Sequence, residues 1–251
     1  MITFILTRSL IALSLALTIS ASSHAGASEL LDAIKANDIA QVRALISAGA
    51  DANEKSSSGG PLNIAAGQGS VEIVTALIDA GANLETPGFV GLHPLHAAAK
   101  AGQMEIAKLL IARGAIVDAL DDSGRTPLII AISSPKTINV IKVLLAAGAN
   151  RGAEDRAYHR NALFWAVFED RLDVVDALLA TGLDVNIKDS DQDWTALHLA
   201  VAHFNYDIVQ FLIDHGADVN IAGKNGETPL QIAKERNSKQ MLEILAKAGA
   251  K

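Results

Sequence analysis

The chain has 251 residues, 50% of them hydrophobic, and no cysteine, which excludes disulfides, a thiol nucleophile and the acylated cysteine of a bacterial lipoprotein. Lysine and arginine number 21 against 28 aspartates and glutamates, for a net charge of −7, and the basic residues form no stripe. Neither nucleic acid nor an anionic membrane surface is therefore an expected partner.

The first residues differ from the rest. Residues 1–25 carry one charge, Arg8, followed by the apolar run Leu10-Ile11-Ala12-Leu13-Ser14-Leu15-Ala16-Leu17 and by small residues at Ser23-His24-Ala25 and Ala25-Gly26-Ala27. This is the pattern of a secretory signal peptide, with cleavage expected after Ala25 or Ala27. An uncleaved membrane anchor is the alternative, because Ile2–Leu6 is also apolar. Losing Arg8 would leave 20 basic against 28 acidic residues, or −8. An exported chain without disulfides suits a bacterial periplasm better than an animal extracellular space. Ser28 is expected to cap a first helix over Glu29–Ala36.

From there to the end one pattern repeats. A Pro-Leu or Ala-Leu pair recurs at Pro61-Leu62, Pro94-Leu95, Pro127-Leu128, Ala162-Leu163, Ala196-Leu197 and Pro229-Leu230, at spacings of 33, 33, 35, 34 and 33 residues. Glycines close each period at Gly49, Gly81, Gly114, Gly148, Gly182, Gly216 and Gly249. A fixed period near 33 means a stack of two-helix units, and seven exceed the roughly three needed for a stable array. The expected units are about 28–54, 55–87, 88–120, 121–154, 155–188, 189–221 and 222–251.

Within a unit the residue types have separate tasks. Thr228, Asn161 and Thr195 are placed to cap the first helix, and Pro229 suits its first position. Small residues such as Ala65-Ala66 and Ala97-Ala98-Ala99 let neighbouring helices approach. The second helices carry apolar stripes, Ile73, Val74, Leu77, Ile78 and Ile106, Leu109, Leu110, and end at a glycine suited to a left-handed cap. One-residue insertions precede Ala162 and Ala196, and a third lies between Pro127 and Gly148, at Ser133-Ser134-Pro135-Lys136, where the proline is expected to break or delay a helix.

His93-Pro94-Leu95-His96-Ala97-Ala98-Ala99, Thr195-Ala196-Leu197-His198-Leu199-Ala200 and Gly216-Ala217-Asp218-Val219-Asn220 closely resemble the ankyrin repeat. The resemblance covers about residues 28–251. It implies an all-α solenoid of about seven helix-turn-helix units with β-turn tips, and a protein-binding role. The first unit lacks the Thr-Pro-Leu box, as suits a polar cap.

Residues that suggest chemistry have simpler readings. His93 and His96 sit at near metal-ligand spacing, but His96 and His198 fall on the family's histidine position, where the ring bonds neighbouring backbone. Asp189-x-Asp191-x-Asp193 opens like a calcium loop, yet Trp194 and Ala200 stand where the loop needs glycine and glutamate. Asp121-Asp122 reads as a turn. There is no phosphate loop and no Gly-x-Ser-x-Gly elbow. No catalytic residue, metal ligand or cofactor is expected, and the chain is not read as an enzyme.

By the same resemblance, partners are held on the concave side by turn tips and inner-helix ends. That makes Phe89, Leu92, Lys100, Arg125, Tyr158, Arg160, Phe168, Asp191, Trp194, His203 and Lys224 the candidate partner-binding residues. Eight of the ten aromatic residues lie between 158 and 211. Tyr158, Phe168 and Trp194 are expected on the exposed concave side, and Phe164, Trp165 and Phe211 in the core. Phe204 and Tyr206 are candidates to plug the inter-helix turn. Tyr158, Arg160, Phe168, Trp194 and His203, in units five and six, are the expected main anchor patch.

The resulting reading is a non-catalytic periplasmic scaffold that binds another protein, and the resemblance suggests a helper of an exported enzyme such as a catalase. An immunity protein against a periplasm-directed toxin is the alternative. A membrane-tethered scaffold, or an unrecognised enzyme or ligand carrier, belongs to another class. Charged residues at both array ends, such as Glu29 and Lys247, favour a monomer.

Overall fold

The computed structural model describes residues 29–56 and 59–251. The leader, both expected cleavage sites and Ser28 lie outside the described residues. Seven helix pairs follow one another: α1 (29–35) with α2 (Ile39–Ser47), α3 (Pro61–Gln68) with α4 (Val71–Asp79), α5 (Pro94–Ala101) with α6 (Met104–Ala112), and α7 (Pro127–Ile132) with α8 (Ile138–Ala146). They continue as α9 (Ala162–Phe168) with α10 (Leu172–Leu179), α11 (Ala196–Ala202) with α12 (Tyr206–Asp214), and α13 (Pro229–Glu235) with α14 (Lys239–Lys247). Inner helices α3, α5, α7, α9, α11 and α13 pack in sequence against one another, and outer helices α2 to α12 do the same. No named strand occurs among the described residues, only isolated bridges at two tips. The molecule is an all-α solenoid of repeats.

Each expected signal has a visible role. Asn161 Oδ1 accepts from the Leu163 and Phe164 amides at 3.0 and 3.3 Å, and Thr228 Oγ1 accepts from the Gln231 amide at 3.4 Å. Such caps satisfy amides that have no intrahelical partner. The leucines of the paired motif, Leu62, Leu95, Leu128, Leu163 and Leu197, are all buried, as are the outer stripes Ile73-Val74-Leu77, Val140-Ile141-Leu144, Val174-Val175-Leu178 and Ile208-Val209-Leu212. Their common register builds one continuous core between the two helix layers. Each such leucine or isoleucine, once buried, is worth about 1.5–3 kcal/mol.

Polar side chains tie one unit to the next. His96 Nδ1 accepts from the His93 amide at 3.2 Å while its Nε2 faces the Arg125 carbonyl at 3.0 Å. His198 repeats this with Thr195 and Glu227. One nitrogen accepting and the other donating requires the neutral ring, and burial lowers both imidazole pKa values. On the opposite edge, the oxygens of Asn53, Asp118, Asn186 and Asn220 accept from amides of the following unit, at Asn83, Asn150, Asp218 and Lys251.

The turn between paired helices needs one left-handed residue. Seven units place Asn37, Gly69, Gly102, Lys136, Asp170, Phe204 and Asn237 there, all with positive φ. In unit four, Pro135 separates α7 from α8 as expected, and Thr137 Oγ1 donates to the Ala131 and Ser134 carbonyls. Phe204 does not plug its turn: the φ of 60° turns its ring outward and leaves it 40% exposed. Tyr206 is half-buried, its hydroxyl 3.2 Å from Ser238 Oγ.

Candidate protein-binding face

The turn tips are small hairpins closed by a backbone hydrogen bond. The closure runs from Gly88 to Leu92, Asp121 to Arg125 and Gly223 to Glu227, but from Asp155 to Arg160 and Asp189 to Trp194 in units five and six. The insertions read before Ala162 and Ala196 therefore sit in these two tips. Adjacent tips are joined by amide-to-carbonyl bonds, Asp122 to Val90, Arg156 to Ser123 and Lys224 to Gln192.

The insertion changes what the tip aspartate does. In unit four, buried Asp121 receives the Ser123 and Arg125 amides on Oδ1, and its Oδ2 takes the Arg125 guanidinium at 2.8–2.9 Å. In unit five, Asp155 receives the Arg160 amide and the Trp165 indole N–H on Oδ1, and the Ala157 and Tyr158 amides on Oδ2. Both oxygens are committed to the longer turn. The Arg160 side chain lies instead on rings: its guanidinium carbon is 4.4 Å from the Phe168 centroid, 5.1 Å from Tyr158 and 5.8 Å from Trp165.

These rings form a continuous run. Tyr158 meets Trp165 edge-on at 6.0 Å, Trp165 meets Phe168 at 5.7 Å, and Phe168 meets His203 at 5.4 Å. Tyr158 is 57% and Phe168 40% exposed, whereas Trp165 is buried and supplies the base. The His203 pKa is lowered by partial burial first and then by the Arg160 and Arg236 charges. Beside this run, Trp194, Ala202, Glu227, Gln231, Glu235 and Arg236 line an open cleft of about 480 Å³.

Of the candidate residues, Tyr158, Arg160, Phe168 and His203 come together. Trp194 was expected to be exposed and is half-buried: its ring stacks on His198 and its indole N–H donates to Glu227 Oε1 at 2.7 Å. That bond also holds the Glu227 carboxyl below its usual pKa. Arg125 is locked to Asp121. Phe89 is exposed on the tip of unit three, Lys100 ends α5, and Asp191 and Lys224 lie on tips six and seven, joined through the Asp191 carbonyl. None of these, nor half-buried Leu92, belongs to the ring run. Phe164 and Trp165 are buried as expected, and Phe211 is partly buried against the core. Asp155 was not read as a site residue; the recurrence of aspartate at 121, 155 and 189 was the available signal.

Among the described residues no group of three or more acidic or histidine side chains is placed to hold a metal ion, and no helix is long and apolar enough to cross a membrane. The Asp189 carboxylate accepts from the Gln192 and Trp194 amides and so shapes a turn.

A family model described as "Ankyrin repeats (3 copies)" matches residues 30–121, 62–155, 117–189 and 163–251. No curated protein matches the chain. Among solved structures, the ankyrin repeat domain of Bcl-3, described as a unique member of the IkappaB protein family, is 25% identical over 87% of this chain and 97% of that one, with a TM-score of 0.78.

Proposed function

The chain belongs to the ankyrin-repeat family, and from that premise we propose that it is a non-catalytic periplasmic scaffold that holds a partner protein on the concave face of units five and six. The repeats themselves indicate a protein-protein interaction scaffold. One observation carries the choice of face: the run Tyr158–Trp165–Phe168–His203 with Arg160 laid across it. Exposed aromatic rings and arginines dominate interface energetics, because they bury large rigid surfaces at small entropic cost. The leader pattern of residues 1–25 and the absence of cysteine support export to a periplasm. A resident exported enzyme, such as a catalase, is then the partner whose activity or lifetime the scaffold supports.

The test is affinity capture in periplasmic extract with the chain from Ser28 onward, using the Tyr158→Ala/Phe168→Ala double variant as control. Both rings are exposed, so the variant should melt close to wild type. A resident enzyme retained by the wild type and lost with the variant is the expected result. Equal retention by both proteins would move the binding face elsewhere, and retention of nothing by a folded wild type would sink the helper reading.

A further inference from the structure

In an acidic chain, most described arginines have an internal partner. Arg113 pairs with Asp79, Arg125 with Asp121 and Arg171 with Asp173, while Arg151 and Arg156 donate to the oxygens of Thr181 and Asp122. Arg160 occupies in unit five the place of Arg125 in unit four, yet its guanidinium has no carboxylate or carbonyl partner among the described residues. The reason is local, since the longer tip occupies both oxygens of Asp155 with four other donors. Nearby acids are engaged as well. Glu154 accepts from the Ser190 hydroxyl, and Asp170 accepts from Asn205 at 2.8 Å.

What remains is a half-buried cation on an aromatic platform, with no acceptor at its N–H groups among the described residues, and a second guanidinium, Arg236, whose charge also acts on His203. An arginine stacked on rings is attracted through its face, which leaves its in-plane N–H groups for a planar acceptor. Partial removal from water strengthens such a bond, and the fork matches a carboxylate at both oxygens. Beside it, the exposed edges of Tyr158 and Phe168 offer apolar surface within one side chain's reach.

We propose that Arg160, framed by Tyr158, Trp165 and Phe168, is the receptor for a carboxylate of the partner, so that the docked segment is an acidic peptide with an apolar residue next to its acid. This rests on the reading that the same face docks a protein, and it adds the partner's chemistry. Charge complementarity carries it: a guanidinium laid on rings with no acid partner of its own among the described residues selects an acidic segment against basic or neutral ones.

The experiment is to pan phage-displayed random dodecapeptides on the purified chain from Ser28 onward, then to synthesise the best binder with its acid and with the matching amide. The expected binders carry Asp or Glu beside an apolar residue. Arg160→Met, which keeps the aliphatic stem over the rings, should weaken the acidic peptide about tenfold. The acid-to-amide change should do the same, and both together should cost little more than either alone. Arg160→Lys should fall between, since it keeps the charge and loses the fork. Binders without acids, or acidic binders held equally by Arg160→Met, would overturn the carboxylate receptor while leaving the docking face intact. Recovery of no peptide would also overturn it, and the docking face would then stand or fall on the capture experiment.

Discussion

Units two and three and units four and five share one scaffold but fill it in opposite ways. In the former, the inner helices present Ala65, Ala66 and Gly67 against Ala97, Ala98 and Ala99, and the third residue of the motif is polar. Asn63 donates to the Leu92 carbonyl at 2.7 Å and His96 meets that of Arg125, so each inner helix pins the next tip. In units four and five that residue is Ile129 and Phe164, both fully buried. Neither can hydrogen-bond, and the tips they precede are 155–160 and 189–194, the two with an inserted residue. The array thus exchanges a polar pin for apolar filling where its tips grow longer and its aromatic surface collects. A repeat can keep its core register while the tip above it takes on a new task.

The largest test of this comparison is a pair of substitutions. Phe164→Ala removes a fully buried ring from the centre of the stack and should destabilise by about 3–5 kcal/mol. His96→Ala removes a smaller ring and leaves the Arg125 carbonyl without its donor, for about 1–3 kcal/mol. Urea unfolding of both proteins measures the difference. Equal losses would mean that the apolar replacement in unit five adds no core beyond what the polar pin supplied.

A smaller effect concerns the polar pins and pH. His96 and His198 have pKa values lowered from 6.5, by burial first, and the opposing contributions come from the Arg125 and Glu227 carbonyls. His93, Asp121 and Arg125 also act on His96, and Glu227 and Lys188 on His198. The unfolded chain therefore binds protons more readily at these sites. Their stability is fully present above pH 6.5 and is lost as pH falls from 6.5 through the lowered folded values. His96→Asn, which copies Asn63, should keep the pin and flatten the fall in melting temperature between pH 7.5 and 5.5 relative to wild type. An unchanged slope would show that His96 does not titrate in this range.

The period, caps and stripes made the array readable because each depends on residues within a few positions of one another. The exposed patch was readable in part, through the crowding of aromatics after Tyr158. The resemblance assigned Trp194 to the concave side, but its indole N–H finds Glu227 a full unit later, which no local pattern carries. Arg160 and Arg125 look alike in sequence, and only the folded turn shows that one extra residue redirects the Asp155 oxygens and leaves the guanidinium on the rings. Phe204 looked like a plug because it is apolar, yet the backbone position it occupies is left-handed in every unit. Position in the turn outranked side-chain chemistry.

The smallest predicted effect follows from the left-handed residues of the aromatic half. Units four and seven use Gly124 and Gly226 at the left-handed tip position, whereas units five and six use His159 at φ 51° and Asp193 at φ 54°. An L-residue in this region costs about 1–2 kcal/mol, which glycine avoids. Glycine also loosens the unfolded chain, giving back about 0.4–1 kcal/mol. His159→Gly should therefore stabilise by only about 0.5–1 kcal/mol, and Phe204→Gly by a similar amount less the packing its half-exposed ring retains. The two changes part company in function. Phe204 follows His203 on the inter-helix turn but makes no ring contact with the run among the described residues, so its replacement should leave partner capture unchanged. His159 separates Tyr158 from Arg160, and freeing that joint should weaken capture even as thermal unfolding shifts upward. A stabilised His159→Gly protein that captures as well as wild type would show that the tip's conformation, although strained, does not set the geometry of the docking face.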